Sequence, residues 1–135
     1  MAKNDDAEQL RYLYSMYTRE YEALGGEISN YMNVGAAFER NIEVLNKVSM
    51  VENSKVLLNL EGGTFIETDT KQVKSVMTNV GAGYLVEKNV DDAKVFLDTN
   101  YKKIQESVQE LMLQRQRMEK EILDLSEKIN AAQSK

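Results

Sequence analysis

The sequence predicts an α+β chain, a long antiparallel helical coiled coil with two β-hairpins set between its helices. Three observations predict it. Apolar residues recur with a 3.5-residue period through the first and last thirds, the period falls to 2 between them, and glycines stand where strands must reverse.

The first helix is assigned to residues 7–49. Alternate steps of four and three from Leu10 meet Leu10, Tyr14, Tyr17, Tyr21, Leu24, Ile28, Tyr31, Gly35, Phe38, Ile42 and Leu45. All but Gly35 are apolar or aromatic, which is the seam of a coiled coil, because that period keeps one stripe against a partner helix. Gly25, Gly26 and Gly35 each cost about 1 kcal/mol in a helix interior relative to Ala, so softening or a bend is expected there. Tyr21, Leu24 and Ile28 are assigned to the seam core.

Residues 55–88 are rich in Val, Thr and Gly. "KVLLNL", "TFIET", "VKSVMTNV" and "YLVEK" read as four short strands, with turns at "EGG" (61–63) and "GAG" (81–83) and a polar connection "TDTKQ" (68–72) between the two pairs. The glycine pair at 81 and 83 also invites a phosphate-binding reading. Such a loop needs its glycines directly before a helix N-terminus and a lysine at fixed spacing. A five-residue strand intervenes and no lysine falls in place, so the segment is read as a hairpin turn, with glycine supplying positive φ.

The second helix is assigned to 90–133. Its seam reads Leu97, Tyr101, Ile104, Val108, Leu111, Arg115, Met118, Ile122, Leu125, Ile129 and Ala132. Asn89 is the expected N-cap, and Asp91 and Asp92 complement the positive end of the helix dipole. Arg115 is the single charged seam member, and a register-setting pair with Glu27 is expected across the coil. Helices of roughly 40 residues run about 60 Å at 1.5 Å per residue, too long for one compact body of this size. In an antiparallel coil both chain ends meet at one distant tip.

Composition narrows the function. Of 135 residues, 42% are apolar and 29% charged, too apolar for a disordered chain and too charged for a membrane protein. No apolar run nears a spanning length and the N-terminus lacks a signal-peptide core, which predicts a cytoplasmic protein with no membrane partner. Cysteine and histidine are absent, removing thiolate nucleophiles, imidazole bases and soft metal ligands. No catalytic residue, metal or cofactor is expected. With 17 basic residues scattered among 22 acidic ones, for a net charge of −5, a nucleic-acid partner is not expected either. Asp91 and Asp92 are helical neighbours that do not face each other. Glu119, Lys120, Glu121, Asp124, Glu127 and Lys128 read as a solvated face.

Over almost its whole length the chain resembles the α-type subunits of the prefoldin family, hexameric chaperones of archaea and eukaryotes. The resemblance is most specific in "VLLNLEGGTFIE" (56–67) and "VGAGYLVEKNVDDAKVFL" (80–97), which are similar to the family's glycine turn followed by Phe and to its VGxGY-type hairpin leading into the second helix. Two hairpins instead of one point to the α class. The chain departs from the pattern at Asn59, Leu60 and Glu61, where many relatives read Pro-Leu-Gly. The resemblance implies a hexamer of two α and four β subunits, whose hairpins join into a β-barrel from which the coiled coils hang. It also implies ATP-independent capture of unfolded proteins at the tips and their transfer to a group II chaperonin.

The residues agree with that implication. Isolated two-stranded hairpins are marginal in water, so Val56, Leu58, Leu60, Phe65, Ile66, Val76, Val80, Gly81, Gly83 and Leu85 are the candidate assembly residues. Five of the seven tyrosines lie in the first 31 residues. Tyrosine offers area with a water-tolerant hydroxyl, and methionine adapts to varied partners. The candidate client-binding residues are therefore Leu10, Tyr12, Leu13, Tyr14, Met16 and Tyr17 on the first helix and Ile122, Leu123, Leu125 and Ile129 on the second. The alternative reading is a coiled-coil scaffold or filament-forming prefoldin-like protein, which the same seam and hairpins would serve.

Overall fold

A computed structural model describes residues 2–50, 54–60, 62–71 and 73–134. The order is α1 (Ala2–Met50), β1 (Ser54–Leu60), β2 (Thr64–Thr70), β3 (Ser75–Gly81), β4 (Tyr84–Asn89) and α2 (Val90–Gln133). The strands form two separate antiparallel hairpins, β1 with β2 and β3 with β4. The chain divides into two compact units, one made of 1–35 with 103–135, the other of 36–102.

In the first unit α1 and α2 pack through the seam. Leu24 and Ile28 of α1 and Met118 and Leu125 of α2 are buried, and Gly35 is buried as well. α1 runs unbroken through Gly25, Gly26 and Gly35. It begins at Ala2, ahead of residue 7, where the seam period starts to be visible.

The second unit centres on Val90, Ala93 and Leu97 of α2, all buried, with Thr78 of β3. Ala93 has no surface exposed to solvent. A cleft of about 300 Å³ opens beside it, lined among others by Phe38 and Leu45 of α1, Val76 of β3 and Phe96 of α2.

Several strand boundaries differ from the sequence reading by one or two residues. Asp69 and Thr70 belong to β2, extending it past Thr68 into the polar connection, because Ser54↔Thr70 and Lys55↔Asp69 continue the ladder and alternating threonines suit a strand. Lys55 also reaches diagonally to Glu67 at 3.3 Å. β3 starts at Ser75 and not Val73, since Ser75 pairs with Asn89 and the next residue opens α2. Val73 and Lys74 have no strand opposite them. Glu61 and Gln72 of the expected connections lie outside the described residues.

The β3–β4 turn is confirmed and its backbone is specific. Gly81 pairs with Tyr84 across Ala82 (φ +51°) and Gly83 (φ +78°), two successive left-handed residues that match the twist of the flanking strands. A bulge falls between Asn79 and Gly81, and the Gly81 N–H donates to Asn79 Oδ1 at 2.9 Å. Ala82 bears the strain of a Cβ in the left-handed region. Ala82→Gly is expected to stabilise the hairpin by about 0.5 kcal/mol, the relief of strain exceeding the extra unfolded-state entropy. Chemical denaturation checks this, and a destabilised variant refutes it.

α2 is capped as expected. The Asp92 N–H donates to Asn89 Oδ1 at 2.7 Å, and Asn89 Nδ2 donates back to Asp92 Oδ2 at 3.0 Å. Asn89→Ala should cost about 1 kcal/mol, read as a lower denaturation midpoint with an unchanged slope. On the surface, Glu43–Lys47, Asp98–Lys102 and Asp124–Lys128 pair at 2.8–3.0 Å, each with the acid one turn before the base, the favoured order. The Lys47 ammonium holds the Glu43 carboxyl below its usual range.

Candidate functional site

The tip candidates fall into two groups within the first unit. Helical spacing puts Tyr12 and Met16 one turn apart on one face of α1. Tyr12 is 67% exposed and Met16 47%, while Leu13 and Tyr14 flank them with more than a third of their surface open; Leu123 on α2 is 60% exposed. Leu10, Tyr17, Ile122 and Ile129 are half-buried, and Leu125 is buried in the seam. Tyr12 also borders a shallow recess shared with Asp5, Glu8 and Gln9. This surface suits weak, adaptable contact with apolar side chains, the aromatic and thioether groups giving area and the surrounding acids keeping it hydrated.

The hairpins carry the second set. The register places Val56, Leu58, Leu60 and Ile66 on one face of β1–β2, with Leu58 directly across from Ile66. Phe65 points to the opposite face, beside Asn59 and in line with Leu57. Leu58, Leu60, Phe65, Ile66, Val80 and Leu85 are all about half exposed, an apolar load that ordinary soluble hairpins do not present. Val56 is half-buried, and Val76 lines the cleft of its own unit. Gly81 and Gly83 shape the bulge and turn. Leu57, Met77 and Tyr84 are exposed as strongly as the candidates but are absent from the sequence-derived set. Strand alternation was the available signal, since Leu57 and Met77 occupy the faces opposite to Leu58 and Val76.

Arg115 is placed differently from expectation. No ion pair joins it to Glu27 among the described residues. Its guanidinium carbon lies 4.1 Å from the Tyr21 ring centroid, and a Cβ built at Gly25 would meet its terminal nitrogen at 2.9 Å. Its Nε is buried without a hydrogen-bond partner. The glycine that the sequence marks as a soft spot is thus the gap that admits the arginine.

Among the described residues no group of three or more acidic side chains is arranged to hold a metal ion, and no helix is long and apolar enough to cross a membrane.

Residues 13–135 match the family described as Prefoldin subunit. The curated "Prefoldin subunit alpha" of Archaeoglobus fulgidus is 25% identical over 130 residues, covering 90% of this chain and 95% of that protein. That of Pyrococcus horikoshii is 25% identical over 139 aligned residues, covering 100% and 93%. Among solved structures, the cryo-EM structure of filamentous PFD from Methanocaldococcus jannaschii superposes with a TM-score of 0.56 at 19% identity, covering 96% of this chain and 98% of that one. At that identity the likeness is one of fold.

Proposed function

Because the chain belongs to the prefoldin family, with relatives named as its α subunit, we propose that it is a subunit of an ATP-independent holdase that captures unfolded polypeptides at its coiled-coil tip. It assembles with β-type subunits as two α and four β, the hairpins joining in a β-barrel, and hands its clients to a group II chaperonin in the cytoplasm. The observation that carries this reading is the open apolar group Tyr12, Leu13 and Met16, which stands outside the seam of its own coiled coil beside the exposed seam residue Tyr14.

Physical chemistry supports the division of labour. A holdase needs apolar surface that stays in water without collapsing, and a continuous helix holds such side chains apart where a flexible loop would let them cluster. Two-stranded hairpins with half-exposed leucine, isoleucine and phenylalanine gain stability from neighbours that cover them.

The test is light scattering as a denatured client is diluted into buffer without ATP, with the chain alone and mixed with a β-type subunit. Suppressed aggregation in the mixture is expected. Confirmed assembly with no suppression overturns the holdase reading for that client. Large homopolymers of the lone chain, again without suppression, favour the scaffold or filament reading.

A further inference from the structure

We infer that Gly25, Tyr21 and Arg115 form a register lock, a slot in α1 that accepts one guanidinium of α2 and thereby keeps the two halves of the tip surface level with each other. The connection to the tip rests on the holdase reading above, whereas the register does not.

The slot has two parts. Tyr21 supplies an aromatic face at 4.1 Å from the guanidinium carbon, and Gly25, one turn further on, supplies the missing Cβ. Stacking satisfies a planar delocalised cation in a way that an ammonium group could not match. The buried Nε finds no acceptor and no ion pair among the described residues involves the guanidinium, so the Tyr21 ring is its identified partner there. The stack on Tyr21 and the space at Gly25 both depend on the level at which the helices meet.

A coiled-coil seam built from leucine, isoleucine and tyrosine tolerates slipping by whole heptads, because apolar residues meet apolar residues again. The arginine removes that tolerance. Slipped one heptad towards the start of α1, it would meet Tyr14 and Thr18 in place of Tyr21 and Gly25. A ring is still available, but a β-branched side chain, whose hydroxyl donates to the Tyr14 carbonyl at 2.7 Å, fills the gap. Slipped the other way, it would meet Ile28 and Met32, with neither ring nor gap. Tyr31 and Gly35 repeat the pairing, but ten residues on, off the heptad period. A partly buried cation without its slot is costly, so wrong registers are penalised by more than the right one is favoured.

The consequence falls on the tip. A one-heptad slip moves α2 by about 10 Å along α1, at 1.5 Å per residue. Leu123 would then leave the level it shares with the Tyr12–Met16 surface.

The chain contains no cysteine, so spin labels can be placed uniquely at Arg11→Cys and Lys128→Cys, both exposed in the first unit. Pulsed electron paramagnetic resonance on the full chain, diluted with unlabelled chain, is expected to give one distance. Arg115→Leu, which makes the seam wholly apolar, is expected to give a second population displaced by up to about 10 Å. Gly25→Leu, which fills the slot and improves helix propensity, is expected to do the same. If Arg115→Leu does not fold, Gly25→Leu decides. One unchanged distance in the folded variants overturns the proposal, whatever happens to melting temperature, because a purely structural arginine would alter stability without splitting the distance. Aggregation suppression by the same variants mixed with a β-type subunit separates the two claims. Two populations with full suppression remove the connection to the tip and leave the lock standing, while lost suppression with a single distance removes the lock.

Discussion

Replacing Tyr12, Leu13 and Met16 together with Ser is expected to weaken capture of a denatured client by on the order of 100-fold while leaving the mixed oligomer assembled. The size follows from area. Each side chain is already largely in water, so client binding can bury only part of it, worth roughly 1 kcal/mol apiece; 1.4 kcal/mol is tenfold in affinity. The seam is spared because Leu24, Ile28, Met118 and Leu125, not these three, are the residues it buries in this unit. Titrating the oligomer against client aggregation gives the fold-change, and native mass spectrometry gives the assembly state. Unchanged capture would mean that the client contact lies elsewhere, and a lost oligomer would make these residues structural.

Introducing Leu58→Asp with Ile66→Asp is expected to abolish assembly with the β-type subunit, more than a thousandfold in affinity, without unfolding the coiled coil. The two residues sit directly across from each other on one hairpin face and are half exposed in the lone chain. Two facing carboxylates repel, and burying either in an apolar contact costs several kcal/mol. Neither residue lies in the unit formed by 1–35 and 103–135, so the helical circular dichroism should persist. Sedimentation of the mixture should show the mass of separate chains. Assembly that survives this change would mean that this face does not meet a neighbour, and attention would pass to Phe65 and Leu57 on the other face.

The helices were legible because their signal is long: a seam of eleven positions on each helix identifies pairing regardless of any single residue. Asn89 and the Gly81–Gly83 turn were legible because capping and left-handed backbone leave local marks. Strand limits were less so, since whether Asp69 and Thr70 continue β2 depends on Lys55 and Ser54 lying opposite, a long-range fact. Gly25 shows the deeper limit. Propensity alone makes it a defect in α1, and only the position of Arg115 on the other helix turns it into a fitted gap. Leu125, by contrast, is buried as its seam phase in the sequence indicates.

Each hairpin has only two strands, so all four strands keep one edge whose amides and carbonyls have no sheet partner. A newly synthesised copy therefore meets the hazard that a chaperone relieves in others, since it presents open backbone and bare apolar faces until its neighbours arrive. Making this subunit in excess of its partners would load the cell with aggregation templates. Matched production of the different chains is thus a requirement of the architecture itself.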